Sequence, residues 1–352
     1  MRVLVTGHSG YIGTVMVPML LAEGHEVAGY DSDLFENSTF GNGIVQVPSA
    51  RKDIRDATLD DVKGFDAIIH LAGLSNDPLG DLNPNLTYEI NHLASVRLAT
   101  LAKEAGVARF IFSSSCSNYG AGGEDLLNEN SAFNPVTPYG ISKVRVEQDV
   151  AKLASREFSP TFLRNATAFG VSPRLRFDLV LNNLVAWAFT TGKVFIKSDG
   201  TPWRPIVHIA DISRAFIAVL TAPRDVVHNA AFNVARNEDN YRIRELADIV
   251  KETVPNCTIE YAKDAGPDKR CYRVDSSKIL RTLPSFKPVW NARKGAQELH
   301  EAYKRIGLKL EDFEGPKYKR IDHIKQLLSS GRLNADLRWA GRAAEATTPQ
   351  RG

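Results

Sequence analysis

Short apolar runs alternate with longer amphipathic stretches over the first 165 residues. Val3 to Val5 is a strand, a glycine-rich turn runs from Gly7 to Gly13, and residues 14–23 have helical spacing with Val15, Leu20 and Leu21 among the apolar positions. Gly24 stops that helix, and Glu26 to Tyr30 is a second strand ending at Asp31. The rhythm repeats with a strand at 67–70, a helix at 86–105 stopped by Gly106, a strand at 110–113, a helix at 139–156 and a strand at 161–164. Between them, residues 118–138 read as a loop rich in Gly, Asn and Pro. Strands that are apolar on both faces and separated by helices predict a parallel sheet covered on both sides. Past residue 170 the alternation breaks, which predicts a second, smaller lobe over 171–340. Phe232 to Val234 reads as a strand returning to the first lobe, so 206–236 is expected to rejoin residues 1–170. Residues 341–352 read as a flexible tail.

Composition narrows this little. Of 352 residues, 43% are hydrophobic and 24% charged, with a net charge of +3, ordinary values for a globular protein. They argue against a nucleic-acid or membrane partner. The basic residues cluster toward residues 316–352, where the expected reading is a solvated helix face and a loose end. Cys116, Cys257 and Cys271 lack metal-ligand spacing and read as reduced thiols. His8, His70, His92 and His208 fall on different elements, so no metal site is expected. With no secretory or membrane-spanning run, the expectation is a soluble cytoplasmic protein.

The chemistry begins at Thr6-Gly7-His8-Ser9-Gly10-Tyr11-Ile12-Gly13. Glycines at 7, 10 and 13, between a strand and a helix, let the backbone turn and approach a pyrophosphate at the helix N-terminus. The spacing is G-x-x-G-x-x-G. Asp31, at the end of the second strand, suits a ribose diol and would repel a 2′-phosphate; no Arg or Lys lies between it and Asn42. The reading is a Rossmann-type, doubly wound α/β fold that binds NAD rather than NADP. Tyr139 and Lys143 stand four apart on one helix face, where an ammonium can favour the phenolate of a tyrosine acting as acid and base. Ser113, Ser114 and Ser115 end a strand, where such folds place their chemistry.

Together these residues resemble the extended short-chain dehydrogenase/reductase family, in its NAD-dependent nucleotide-sugar epimerase and dehydratase branch. The resemblance runs from Thr6 to Lys278. It implies Ser115, Tyr139 and Lys143 as catalytic residues, with Ser115 four before Tyr119 in Ser-Cys-Ser-Asn-Tyr-Gly. It implies a cofactor set of Gly7, Gly10, Tyr11, Ile12, Gly13, Asp31, Asp53, Ile54, Leu71, Ala72, Gly73 and Ser113 besides Tyr139 and Lys143, with Asn91 bracing the Leu71-Ala72-Gly73 strand end. It implies Ser75, Ser115, Asn183, Leu184, Arg204 and Arg270 as contacts to a nucleotide-diphosphate sugar. Pairing of the helices 86–105 and 139–156 resembles the family's dimer bundle, so a homodimer is expected.

Three departures shape the functional reading. The family's 4,6-dehydratases carry an Asp-Glu pair directly after the catalytic Ser/Thr; here those positions are Cys116 and Ser117. Its 3,5-epimerases use a cysteine two residues after the serine, which is Ser117, so Cys116 reads as a small buried residue. UDP-galactose 4-epimerases carry a lysine where this chain has Ser75. The expected activity is nucleotide-sugar epimerisation at C4 through a 4-keto intermediate. The alternatives are a dehydrogenase, ketoreductase or dehydratase of the same family, and a non-catalytic NAD-binding scaffold.

Overall fold

The computed structural model describes residues 1–41, 43–75, 83–263, 266 and 270–340. The tail expected at 341–352 lies outside these residues. Every strand expected from the apolar runs joins one sheet, which also takes in a short strand the pattern did not predict, Ser-Ala-Arg at 49–51. In chain order these are β1 (Arg2–Thr6), β2 (Glu26–Asp31), β3 (Ser49–Arg51), β4 (Ala67–His70), β5 (Arg109–Ser115), β7 (Ser159–Asn165) and β11 (Ala230–Val234). The sheet order is β3-β2-β1-β4-β5-β7-β11, and all neighbours run parallel. The chain reverses direction across the sheet between β1 and β4. A crevice therefore opens at their carboxyl ends, the place where such sheets hold ligands.

Helix α1 (Gly13–Ala22) follows β1, and a continuous helical run, Pro84–Thr87, Tyr88–Leu93 and α2 (Ala94–Glu104), follows β4. The predicted helix at 86–105 is thus present, but its Tyr88–Leu93 turn is π-helical, a widening that simple periodicity does not reveal. Helix α3 (Pro138–Ala151) starts at Thr137, whose side chain accepts from the Gly140 N–H, with Pro138 in the first turn. Beyond β8 (Thr167–Phe169), helix α4 (Val180–Thr191) buries Leu181, Leu184 and Val185 in a separate apolar cluster with Leu246 and Leu299. Strand β9 (Lys193–Ile196) pairs with β13 (Thr258–Tyr261), strand β10 (Trp203–His208) pairs with β8 and β12 (Asn240–Arg242), and helix α5 (Ile209–Thr221) leads back to β11.

Two further findings differ from the sequence reading. The loop expected at 118–138 contains β6 (Ala121–Leu127), which pairs in parallel with β14 (Cys271–Val274), 150 residues away in the chain. Its residues, Ala-Gly-Gly-Glu-Asp-Leu-Leu, show no period-2 alternation, so the strand is not legible locally. The C-terminal segment, expected to stay with the second lobe as a solvated face, packs on the first. Helix α6 (Arg320–Ser329) buries Ile324 and Leu327 in the apolar cluster of Leu4, Tyr30 and Ile54, and Leu337 joins them. Arg338 pairs with Asp56 at 2.5 Å, and Trp339 donates to the Ser32 carbonyl at 2.7 Å. Several of its basic residues are thus spent on contacts rather than on solvent.

Candidate active site

The glycine turn between β1 and α1 is as tight as its spacing requires. Gly7 has φ +73°, and a Cβ there would stand 2.7 Å from the Ala72 nitrogen. At Gly13 a Cβ would stand 2.4 Å from the His8 carbonyl oxygen. No side chain caps the start of α1, whose positive end faces the crevice. The backbone is therefore bare where a pyrophosphate would approach, and the site fits a dinucleotide.

Gly7, Gly10, Tyr11, Ile12, Gly13, Asp31, Asp53, Ile54, Leu71, Ala72, Gly73 and Ser75 all line one cleft. The Asp31 carboxylate accepts from the Ser9 N–H at 3.1 Å and the Asp33 N–H at 2.9 Å. Burial and the neighbouring Asp33 push its pKa up, while these bonds oppose the shift. Strand β3 brings Arg51 and Lys52 beside Asp31, cations that a scan of residues 31–42 could not register. Both are paired with carboxylates, Arg51 with Glu36 at 2.8 Å and Lys52 with Asp61 at 2.7 Å. At Asp53, burial is outweighed by hydrogen bonds from Arg55, which hold the carboxyl below its usual range. The sequence reading missed Phe35, Lys52, Arg176, Arg320 and Leu337 in the lining. None belongs to a local motif, and the last three arrive from other parts of the chain.

The floor of the cleft is fastened from beneath. The Leu74 N–H donates to Asn91 Oδ1 at 2.7 Å, and Asn91 Nδ2 donates to the Leu74 carbonyl at 2.9 Å. This is the bracing expected of Asn91, and the π-helical turn carries the residue. His70 bonds Thr6 Oγ1 at 2.6 Å and Ser95 Oγ at 2.7 Å, tying β1, β4 and α2 together. The segment after β8 roofs the glycine turn. Tyr11 donates to the Gly170 carbonyl at 2.8 Å, and Ser172 donates to the Tyr11 carbonyl at 2.8 Å.

At the end of β5, Lys143 Nζ donates to the Ser113 carbonyl at 2.7 Å and lies 5.6 Å from the centre of the Tyr139 ring. Burial pushes the Lys143 pKa down to about 7, with the Glu147 charge opposing. Tyr139 and Ser115 are both half-buried; Ser115 Oγ accepts from the Ser117 N–H at 3.1 Å. Ser113 Oγ accepts from Asn165 Nδ2 at 3.1 Å. The Lys143 ammonium thus stands beside the Tyr139 ring at the end of the strand that carries Ser113 and Ser115.

Behind it stands a buried ion pair the sequence did not announce. Arg164 Nη2 meets Glu147 Oε2 at 2.7 Å, and Glu147 also accepts from Ser114 Oγ and Asn118 Nδ2. Cys116 is fully buried and donates to the Arg164 carbonyl at 3.1 Å; burial pushes its thiol pKa well up. It packs in the core, as expected, and is not an acid of the cleft.

The second-lobe residues gather less tightly. Arg204 is buried on β10 with its guanidinium 5.7 Å from the Tyr272 ring centre. Burial raises the Tyr272 pKa, and Arg204 and Arg270 both act against that shift, so the two predicted arginines share this neighbourhood. On α4, Asn183 Nδ2 donates to the Phe177 carbonyl at 2.8 Å. The Leu184 side chain lies in the second-lobe core, leaving its backbone as the part able to meet a ligand. No group of three His, Cys, Asp or Glu able to hold a metal occurs among the described residues, and no helix there is long and apolar enough to cross a membrane.

Residues 3–235 match the NAD dependent epimerase/dehydratase family. The chain belongs to that family of enzymes. It is 25% identical over 328 residues to the UDP-glucose 4-epimerase of Bacillus subtilis, covering 85% of this chain and 94% of that one. It is 26% identical over 338 residues to UDP-glucuronic acid decarboxylase 1 of Arabidopsis thaliana, covering 90% and 72%. Among solved structures, MoeE5 in complex with UDP-glucuronic acid and NAD superposes with a TM-score of 0.76 at 26% identity, covering 87% of this chain and 99% of that one. The Thermotoga maritima UDP-glucose 4-epimerase shares the fold, with a TM-score of 0.76 at 22% identity and 88% and 100% coverage.

Proposed function

We propose that the chain is an NAD-dependent nucleotide-sugar 4-epimerase. The glycine turn, Asp31, Asp53 and the Leu71-Ala72-Gly73 strand end would hold the dinucleotide, with Lys143 on its ribose. Bound NAD would supply a hydride acceptor and donor. Tyr139 would take the proton of the sugar C4 hydroxyl and later return it, helped by the adjacent Lys143 cation. Ser115 would hydrogen-bond the same oxygen. Asn183, the Leu184 backbone, Arg204 and Arg270 would hold the diphosphate, for which planar guanidinium groups are suited. The 4-keto sugar would turn over and be reduced on its other face.

The observation that carries this reading is the pairing of a complete Tyr139–Lys143 unit with a strand end that offers no carboxyl. Cys116 is buried under Arg164, and Glu124 and Asp125 are exposed on β6. Dehydration needs an acid and a base at the sugar's far side; among the described residues the carboxylate bonded to the neighbouring Ser114, Glu147, is buried and paired with Arg164. The test is to incubate the enzyme with UDP-, GDP-, CDP- and dTDP-sugars while following NADH absorbance, and to identify products by NMR. A C4-inverted sugar with no net NADH supports epimerisation. Stoichiometric NADH production would favour the dehydrogenase, and a 4-keto-6-deoxy product the dehydratase.

The enzyme would act as a homodimer. Leu93 is 58% exposed on the helical face beside the His92–Asp149 contact that joins the helix bearing His92 to α3. An apolar side chain so placed between two long helices suits a four-helix interface. The three free thiols suit the reducing cytoplasm.

A further inference from the structure

Two arginines far apart in the chain meet inside the dinucleotide cleft. Arg176 comes from the segment that roofs the glycine turn, and Arg320 opens α6. Arg176 Nη1 lies 3.3 Å from Ser75 Oγ, and Arg320 Nη1 lies 3.4 Å from the same oxygen. A hydroxyl can satisfy a donor but cannot neutralise a charge. Arg176 has Asp178 at 2.6 Å. Arg320 forms no ion pair among the described residues; its guanidinium lies over the Phe35 ring, 4.3 Å from the centre. Burial, and then the charge of Arg176, push the Arg320 pKa down to about 9, with Asp178 and Asp31 opposing only in part.

Holding one guanidinium beside another in an enclosed cleft is unfavourable unless an anion joins them. The fold nevertheless goes to some length to do so. α6 is fixed by its buried Ile324 and Leu327, by the His323 contact to the Leu34 carbonyl at 2.9 Å, and by the Arg338–Asp56 pair. The wall they share with the arginines is Gly7, Gly10 and Gly13, the bare backbone already suited to phosphate.

We propose that Arg320 and Arg176 form a two-guanidinium clamp on the pyrophosphate of the bound dinucleotide, with the C-terminal segment acting as a strap that delivers Arg320. This rests on the NAD reading of the cleft. Asp31 stands at the adenosine end and Tyr139 at the catalytic end. Arg320 is electrostatically coupled to Asp31, and Arg176 to Tyr139. Both cations line the cavity that holds the glycine turn and Asp31, and they meet at Ser75 Oγ, on the wall where a dinucleotide would carry its charge.

The experiment is calorimetric titration of the full-length chain with NAD, ADP-ribose, UDP and adenosine, in wild type, Arg320→Gln and Arg320→Lys. Arg320→Gln is expected to weaken NAD and ADP-ribose by about tenfold or more, the size of one lost charge-assisted contact. Adenosine and UDP should bind as before, and the salt dependence of NAD binding should flatten. Arg320→Lys should recover part of the loss. Without nucleotide, the melting temperature of Arg320→Gln should equal or exceed that of wild type, because an uncompensated cation has gone. Unchanged NAD affinity, or a loss that extends to adenosine, would overturn the clamp. A loss confined to UDP would also overturn it, by assigning the arginines to the sugar nucleotide. A wild type that binds adenosine and UDP but not NAD would remove the cofactor reading itself.

Discussion

Replacing Lys143 with methionine should stabilise the fold while abolishing activity, and the stabilisation should depend on pH. Lys143 is 6% exposed, and burial lowers its pKa from the ordinary 10.5 to about 7. At about 1.4 kcal/mol per pKa unit, keeping the ammonium in this site rather than in water costs about 5 kcal/mol. The hydrogen bond to the Ser113 carbonyl and the cation contact with the Phe112 ring, 4.5 Å away, already operate in that balance. Methionine fills a similar volume without charge, so a net gain of about 1–4 kcal/mol is expected below pH 7, where both folded and unfolded lysine are protonated. Between about pH 7 and 10.5 the unfolded chain holds a proton that the folded one has released. Wild-type stability therefore rises relative to the variant by up to about 1.4 kcal/mol per pH unit, and the gap closes. Urea unfolding of both proteins at pH 6, 7.5 and 9, at equal cofactor loading, measures this directly. A stability difference that stays constant across the series, or one that grows with pH, would refute a buried cation poised near neutrality.

Tyr139→Phe should leave the melting temperature within about a degree or two and cut turnover by at least the roughly 10²–10⁴-fold associated with acid–base catalysis, measured by product NMR. Asp31→Asn should narrow the preference for NAD over NADP in calorimetric titrations, since the charge that repels a 2′-phosphate is removed. Glu147→Ala leaves Arg164 buried without its carboxylate and should destabilise by about 3–5 kcal/mol in denaturant unfolding, far more than an exposed pair would. Leu93→Asp should shift the protein to a monomer in sedimentation experiments.

Most of the first lobe could be read from the chain because its signals are local. The strand Val3–Val5, the glycines that follow and the acid at Asp31 lie within 31 residues, and each constrains the backbone where it stands. Gly7, Gly10, Gly13 and Asp31 share one cavity with Asp53, Ala72 and Ser75, whereas Ser113, Tyr139 and Lys143 stand outside its lining. What was hidden depends on distant encounters. Strand β6 owes its existence to pairing of Leu126 and Leu127 with Arg273 and Val274, and nothing near Leu126 predicts that. Glu147 reads as one more helix-face acid until Arg164 arrives behind it. Arg320 reads as part of a basic, solvated end, because its surroundings are supplied by Ser75, Phe35 and Arg176. The π-helical turn at Tyr88–Leu93 escapes a 3.6-residue template, which expects only regular turns.

The bonds around His70 also fix a direction. Ser95 uses its only hydroxyl proton on the Asn91 carbonyl, at 2.6 Å, so its oxygen must accept from His70 Nε2. Burial holds the His70 pKa down to about 3, leaving the ring one proton to give. Nδ1 is then a bare acceptor, and Thr6 must point its hydroxyl proton toward it. Thr6 Oγ1 is left with its lone pairs turned to the Ala72 N–H, 3.4 Å away. A one-way relay thus runs from the Ala72 amide through Thr6, His70 and Ser95 to the Asn91 carbonyl, and Asn91 closes the circuit on Leu74. The tautomer of one buried ring is dictated by the main chain at both ends of the cleft floor, and acidity within the working range of the enzyme leaves that polarity untouched.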